Sequence, residues 1–214
     1  MLSKGINKIS GLYLTHQDTD HVGNFLSIGQ KIRYQKIFVP AGMEKLATFQ
    51  KRLKQLNQKC EIIPVTTDVK AQNNLKILHP FTSGKGTNED SLVLYKKFAR
   101  YRFIFMGDLD QKGELEMLKR YPTLKVDILK NGHHGSKTSS NPQFIKQIQP
   151  HLAIISAGRN NRYHHPDQST LDTLNKLNIP YLSTARDGMI KVTMDQKKLK
   201  IEKFVKEKAY FEGQ

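Results

Sequence analysis

The spacing of apolar residues changes along the chain, and each spacing predicts a different element. Between residues 43 and 56, Leu46, Phe49, Leu53 and Leu56 recur at three- and four-residue steps with basic residues between them. That period predicts an amphipathic helix with one buried face. Continuous short apolar runs bounded by turn residues predict strands instead.

Strands dominate the predicted elements up to about residue 106, and strands alternate with helices after it. The predicted strands cover residues 12–14, 36–39, 60–65, 75–78, 91–95, 101–106, 126–129, 152–156, the neighbourhood of 181, 189–194 and 199–205. The predicted helices cover residues 23–33, 43–56, 113–120, 142–148 and 168–177. Residues 103–106 are apolar throughout, so their strand is expected to be central in its sheet. This order predicts an α/β layered sandwich, in one domain spanning residues 1–214.

Charge adds a candidate partner to this picture. Lysine and arginine total 35 against 19 aspartate and glutamate residues, which is a formal net charge of +16. Such a surface attracts polyanions, so nucleic acid or an anionic membrane face is the expected partner. The alternative is a basic protein that is merely soluble.

Cysteine usage and hydropathy exclude several other classes of protein. Cys60 is alone, so a disulfide framework and a cysteine-rich zinc site are both excluded. No apolar run approaches the length of a transmembrane helix, and residues 1–15 lack the apolar core of a secretory signal. Taken alone, the chain is expected to be a soluble cytoplasmic polypeptide.

A dense group of potential metal ligands follows the first predicted strand. His16, Asp18, Asp20 and His21 lie within six residues of one another, directly after an apolar run. Residues two apart at the mouth of a strand can face the same side, so His16 and Asp18 can hold one ion while Asp20 and His21 turn toward a second. Without a metal, crowding carboxylates and imidazoles together would cost desolvation free energy that no interaction offsets. The alternative is a solvated polar turn.

Potential metal ligands also follow two later predicted strands. Asp108 follows a glycine at the end of the central strand, where its two oxygens could bridge two ions, although a Gly-Asp pair alone often marks only a turn. His133 and His134 stand between glycines, which free the backbone to aim an imidazole. The hydroxyl and ammonium groups that follow could hold a phosphate, and they belong to Ser136, Lys137 and Thr138. A polar surface loop is the alternative for this stretch. Together the three strand ends predict a dinuclear metal site.

At this point the sequence resembles the metallo-β-lactamase superfamily, whose His-x-His-x-Asp-His motif appears here as His16-x-Asp18-x-Asp20-His21. Within that superfamily it is similar to the C-terminal domain of the ComEC family, the DNA-internalisation proteins of natural competence. The shared segments are Thr15 to His21, Asn88 to Leu94, Met106 to Asp108 followed by Glu114, Gly132 to Ser136, and Asn161 to Pro166. The resemblance implies an αββα four-layer sandwich with two metal ions at the edge where the sheets meet.

The resemblance also implies ligand roles. His16 and Asp18 would bind one ion, Asp20 and His21 the other, and Asp108 would bridge them. Of the two adjacent histidines, His134 is favoured as the ligand and His133 as the residue facing the substrate, but the choice stays open. The third-motif histidine of the superfamily has two candidate positions here, which are His79 and Asn88.

The implied reaction is hydrolysis of a DNA phosphodiester, with single-stranded DNA as the expected partner. The candidate catalytic residues are Asp20, His133 and His165. Asn161 and Arg162 would contact the DNA backbone, and Ser136, Lys137 and Thr138 would hold the phosphate. Basic residues around the hairpin 91–106 could widen the footprint, and they are Lys96, Lys97, Arg100 and Arg102. Because the ligands are rich in carboxylates and lack thiolates, Mn²⁺ competes with Zn²⁺ as the resident metal.

Members of this family carry paired strands and an Asp-Val-Gly-Gln-Gly-Asp segment before the metal loop, and this sequence lacks both. The expectation is a C-terminal piece of a longer competence protein, whose upstream part includes a membrane channel and which resides in the cell membrane. Two other functions compete with the nuclease. One is hydrolysis of a small phosphodiester such as a phosphocholine ester, and the other is a catalytically inactive DNA-binding remnant.

Overall fold

The computed structural model describes residues 5–69, 74–194 and 198–205, and its elements alternate as the apolar pattern predicts. The strands are β1 (Lys8–Tyr13), β2 (Arg33–Pro40), β3 (Glu61–Val65), β4 (Lys76–His79), β5 (Val93–Phe98), β6 (Tyr101–Phe105), β7 (Ile128–Lys130), β8 (Leu152–Ile155), β9 (Tyr181–Ser183), β10 (Met189–Met194) and β11 (Leu199–Phe204). The α-helices are α1 (Thr19–Val22), α2 (Phe25–Gly29), α3 (Ala47–Gln55), α4 (Gln111–Arg120), α5 (Pro142–Ile148), α6 (Gln168–Lys176) and α7 (Thr184–Asp187). Short 3₁₀ turns occupy Met43–Lys45, Asn88–Asp90 and His133–Gly135.

The strands form two main sheets and a separate hairpin. One sheet has three parallel strands in the order β1-β2-β3. The other has six strands in the order β4-β5-β6-β7-β8-β9, antiparallel from β4 to β6 and parallel from β6 to β9. Strands β10 and β11 pair with each other. The carboxyl ends of the parallel strands β6 and β7 therefore meet at one edge of the larger sheet.

Strand alternation places apolar side chains on both faces of each sheet. In β2, Ile37 and Val39 pack into a buried cluster with Phe49 of α3, whereas Phe38 points to the opposite face. Phe38 packs there with Ile77, which the larger sheet contributes. The three-stranded sheet is thus covered by helices on one face and by the six-stranded sheet on the other.

The larger sheet follows the same rule. Leu78 and Val93 belong to a third cluster, together with Met117 of α4, Phe144 of α5 and Leu174 of α6. Helices therefore cover the outer face of this sheet as well. The layers run helix, sheet, sheet, helix, which confirms the predicted four-layer sandwich.

Several predicted element boundaries are wrong, among them those of three helices. The helix predicted over residues 23–33 is much shorter, because α2 covers only Phe25–Gly29 and β2 already begins at Arg33. The helix predicted over residues 43–56 is interrupted at Leu46, whose backbone is extended (φ −70°, ψ 131°). Helix α4 starts before the predicted Gly113 because the Asp110 side chain caps it, accepting a hydrogen bond from the Gly113 N–H at 2.9 Å.

Strand β6 occupies the interior position predicted for it, between β5 and β7. Its two faces differ, however. Ile104 is fully buried against the helices, whereas on the other face Phe103 is buried and Phe105 is 38% exposed. Within the described ranges, no helix has the length and apolar character needed to cross a membrane.

Candidate metal centre

Three chain segments from two layers converge at one edge of the sandwich. The loop after β1 brings His16 and the following helix α1 brings His21, the end of β6 brings Asp108, and the loop after β7 brings His133 and His134. The backbone at Gly107 is left-handed (φ +56°), and a Cβ there would lie 3.0 Å from the Ser91 Cβ. Glycine is therefore needed for the turn that delivers Asp108.

One oxygen, Oδ2 of the buried Asp108, lies at the middle of this cluster. The Nε2 atoms of His21, His134, His16 and His133 lie 3.2, 3.7, 3.8 and 3.8 Å from it. Four imidazoles thus direct the same ring nitrogen at a single carboxylate. A bridging carboxylate between two cations would occupy such a position.

Part of the cluster has the spacing of a coordination sphere. Single ligand atoms of Asp20, His21, Asp108 and His134 all lie within 4.8 Å of one another. His134 Nε2 is 3.2 Å from Asp20 Oδ2 and 3.3 Å from His21 Nε2. Two ligands held about 2.1 Å from a tetrahedral ion stand about 3.4 Å apart. These four side chains therefore fit a divalent cation.

A second group lies on the other side of Asp108. His16 Nε2 is 3.7 Å from Asp18 Oδ2 and 3.8 Å from Asp108 Oδ2. Among the described residues, the buried atoms His16 Nε2 and Asp108 Oδ1 have no hydrogen-bond partner. Buried polar atoms are normally satisfied, so these two lone pairs point to a bound ion. The assignment of His16 and Asp18 to one ion and of Asp20 and His21 to the other stays a prediction.

The other nitrogen of each imidazole fixes its orientation. Thr15 Oγ1 lies 3.1 Å from His16 Nδ1 and 2.8 Å from His21 Nδ1, and His134 Nδ1 lies 2.8 Å from the Ser156 carbonyl. A carbonyl can only accept, so His134 carries its proton on Nδ1 and leaves Nε2 free to bind an ion. The Thr15 hydroxyl can accept from both of its neighbours in the same tautomer. Sequence patterning did not assign this role to Thr15.

The electrostatics of the cluster suit ligation by neutral imidazole and ionised carboxylate. Burial, together with the nearby His21, lowers the pKa of His16 to about 4. Burial alone would raise the pKa of Asp108, but the hydrogen bond and charge of His21 and the charges of His134 and His16 lower it to about 2. At neutral pH both side chains are therefore in the form that binds a cation.

The adjacent histidines take different positions. Both have left-handed backbones, with φ of 44° for His133 and 54° for His134, which non-glycine residues rarely adopt. His134 belongs to the four-residue group, whereas His133 does not. The His133 Nδ1 instead lies 3.0 Å from Thr138 Oγ1, and its ring lies 6.0 Å from that of His165. This placement favours His134 as the ligand and His133 as the substrate-facing residue.

Neither candidate for the third motif joins the four-residue group among the described residues. His79 is buried, and its Nδ1 lies 2.9 Å from the Ser91 carbonyl. Ser91 in turn accepts a hydrogen bond from the Asp108 N–H at 3.0 Å and lies 3.4 Å from His16 Nδ1. His79 therefore supports the ligands Asp108 and His16 indirectly, through its contact with Ser91. Asn88 is half-buried in the 3₁₀ turn before Ser91.

The residues predicted to hold a phosphate divide into two kinds. Ser136 is buried, and its hydroxyl lies 3.1 Å from that of Thr138, which in turn contacts His133. Ser136 is thus committed to holding the loop, whereas Thr138 is exposed and stays a predicted phosphate contact. Lys137 is exposed, so it stays a predicted phosphate contact.

The loop 158–166 lies beside this cluster. Asn161 closes the loop, since its side chain donates to the Gly158 and His165 carbonyls and accepts from the His165 N–H at 2.9 Å. Arg162 is exposed, with its guanidinium 4.5 Å above the Tyr163 ring. The predicted backbone contacts therefore differ in kind, because Asn161 shapes the loop and Arg162 is free to meet a ligand.

The basic hairpin predicted to extend the footprint lies at the wrong end of its strand. Lys97 and Arg100 flank the β5–β6 turn, whereas Asp108 follows the opposite end of β6. Arg102 is also committed elsewhere, because its guanidinium pairs with Asp127 at 2.8 and 3.0 Å. These positive charges therefore do not surround the metal centre.

Glu114 is a buried residue to which the sequence motifs assigned no role. Only 1% of it is exposed, and its two oxygens accept hydrogen bonds from the Ser140 and Asn141 N–H groups at 2.8 and 2.6 Å. Those residues end the loop that carries His133 and His134. Burial raises the pKa of Glu114 to about 8, against these two N–H donors, which lower it.

We expect Glu114 to make stability depend on pH. Its folded-state pKa of about 8 exceeds the ordinary 4.5, so its contribution is complete below pH 4.5 and is lost as the pH rises through 8. Between pH 6 and pH 9 the free energy of unfolding should fall by about 3 kcal/mol. Urea unfolding at pH 6 and pH 9 measures it. The Glu114→Gln variant should be less stable but should lose less stability over that interval. An equal loss in both proteins would contradict this assignment.

The sequence is similar to a known protein family and to several known proteins. Residues 2–159 match the model of the Metallo-beta-lactamase superfamily. ComE operon protein 3 of Bacillus subtilis is 36% identical over 195 residues, which cover 89% of this chain and 25% of that protein. Competence protein ComA of Neisseria gonorrhoeae is 27% identical over 215 residues, covering 97% and 29%. Recombination protein 2 of Haemophilus influenzae is 28% identical over 196 residues, covering 89% and 23%. The chain spans about a quarter of the length of these curated relatives.

Proposed function

The chain belongs to the metallo-beta-lactamase superfamily, and we propose that its metal centre hydrolyses phosphodiester bonds of DNA, preferably single-stranded, during natural competence. The superfamily and the ligand cluster support a metal-dependent hydrolase. The observation that carries the proposal is the convergence of four imidazoles on Asp108 Oδ2, with Asp20 closing one side. The formal net charge of +16 favours a polyanionic substrate.

Two divalent cations, Mn²⁺ or Zn²⁺, are the proposed cofactors. Asp20, His21 and His134 would hold one of them, His16 and Asp18 the other, and Asp108 would bridge the pair. When bound, the ions supply positive charge against the phosphate and acidify the attacking water. Because the donors are oxygen and imidazole without thiolate, both metals are compatible with the site.

The remaining residues of the site position the substrate and move protons. Thr138 holds His133 by its Nδ1, which leaves the His133 Nε2 to exchange a proton at the leaving oxygen. His165 stacks on Tyr163 with ring centroids 5.8 Å apart, lies edge-to-face with His133 at 6.0 Å, and would orient that oxygen. Lys137 would contact the phosphate from the exposed side of the loop.

The biological setting of this activity is also part of the proposal. One relative is named a competence protein and another a recombination protein, and these names support DNA as the substrate. We propose that the chain corresponds to the hydrolase portion of such a protein, which works beside a membrane-channel portion in the cell membrane. Its other functional partner would be the DNA strand being processed.

The test compares substrates on the purified, metal-loaded chain. Labelled single-stranded DNA should be cleaved in the presence of Mn²⁺ or Zn²⁺, with cleavage lost on chelation. A phosphocholine ester should be turned over at least about 100-fold more slowly in kcat/KM, because it offers no additional phosphates to the basic surface. Faster turnover of the small ester would assign the centre to small phosphodiesters. DNA binding without any hydrolysis would indicate an inactive binding protein.

A further inference from the structure

A cavity beside the metal centre extends the site in one direction. Its volume is about 410 Å³. It lies between helix α3, the loop 158–166 and the segment 15–22, which carries the first metal ligands and is called the metal loop. Asp18 and Asp20 of the metal loop line one side. Arg52 of α3 and Arg162 of the loop 158–166 line it from two other segments. A pocket of this size suits one nucleotide-sized group.

The two arginines are placed to meet an anion in this cavity. Among the described residues, neither forms an ion pair with a carboxylate. Arg52 donates to the Thr19 hydroxyl at 3.4 Å, and Arg162 donates to the Tyr163 hydroxyl while lying over that ring. Both guanidiniums keep several N–H groups unused, in a fork that suits phosphate oxygens.

Charge balance indicates which ligand belongs there. In the apo centre, Asp18 and Asp20 would repel an anion from the cavity they line. If cations occupy the proposed centre, those carboxylates are neutralised, and the two arginines leave the cavity positively charged. A ligand that places one phosphate at the ions and a second phosphate beside them would match both parts of the site.

We propose that this cavity is a subsite for the phosphate adjacent to the scissile one in a polynucleotide, bound by Arg52 and Arg162. The inference rests on the proposed function and narrows its substrate to a chain of at least two phosphodiesters. A small monoester or diester would leave the subsite empty. Arg52 is therefore a residue that selects polymeric substrates.

The test measures binding of a labelled ten-nucleotide oligothymidylate with hydrolysis-resistant phosphorothioate linkages, by fluorescence anisotropy on the metal-loaded chain. Arg52→Ala should raise Kd about tenfold. It should also reduce the slope of log Kd against log salt by about 0.7, the value for one phosphate contact on a single strand. Arg52→Lys should recover part of the affinity. Lys51→Ala removes the same charge from the exposed side of α3 and should change neither quantity.

Metal content and the thermal midpoint are measured for each variant, because Arg52 also contacts Thr19 within the metal loop. If Arg52→Ala loses metal or unfolds, Arg162→Gln decides, since it should reduce the salt slope by the same amount. Unchanged affinity and slope in a folded, metal-loaded variant would overturn the subsite while leaving the hydrolase intact. Arginine-dependent binding by a chain that cleaves no DNA would instead retain the subsite and reject the nuclease.

Discussion

Replacing Asp108 with asparagine is expected to abolish metal binding at both sites and to lower the rate of DNA hydrolysis at least about 1,000-fold. The substitution removes the carboxylate that both ions would share. Asp108 Oδ2 lies 3.2 to 3.8 Å from the Nε2 atoms of four histidines, and the carboxyl is 3% exposed. Asparagine keeps the shape of the side chain but carries no charge, so it cannot bridge two cations.

The measurement is metal content per chain after gel filtration, followed by cleavage of labelled DNA. Asp172→Asn is the matched control, because it removes an exposed carboxylate from α6, away from the centre. The control should bind two ions and cleave at the wild-type rate. If Asp108→Asn retained two ions per chain, the bridging role would be wrong.

Alanine substitution of the two adjacent histidines should give opposite results, and this is the second large effect. His134→Ala should lose one ion per chain and weaken metal binding at least about 100-fold, because a ligand within 3.3 Å of Asp20 and His21 is removed. His133→Ala should keep both ions and lose about 100- to 1,000-fold in kcat, as expected for a proton-transfer group.

Metal titration followed by single-turnover cleavage separates the two cases. The variants serve as controls for each other, since they remove the same side chain from neighbouring positions in one loop. A reversed result, with the ion lost in His133→Ala, would exchange the two roles. Equal metal loss in both would mean that the loop itself had moved, and Thr138→Val, which removes only the hydroxyl near His133, would then test the orientation of that residue.

Much of the fold could be predicted because its core-forming residues are local in sequence. The helix 142–148 and the strand 189–194 have the predicted bounds, since the apolar period and the flanking Asn141 cap are both readable. The shortness of α2 within residues 23–33 was missed because this helix depends on packing of Phe25 with Tyr34 and Phe49 outside it. Propensity alone does not contain that information.

The candidate site, like the fold, could be predicted only in part from the sequence. His16, Asp18, Asp20 and His21 lie within six residues of one another, so their spacing predicted a metal loop. The choice between His133 and His134 depends on left-handed backbone angles, which no spacing reveals. The role proposed for Arg52 depends on which face of a basic helix meets a loop more than 100 residues later, so residue spacing did not indicate it.

The ligands come from both halves of the sandwich, and between those halves lies a small apolar cluster in which the Tyr13 and Phe38 rings stack 4.4 Å apart. Any ion held by His16 or His21 together with Asp108 would act as a cross-link between the two layers. Binding at 100 times Kd would add about 2.7 kcal/mol to the folded state. Cellular metal supply would thus govern how long the protein survives proteases, in addition to how fast it works.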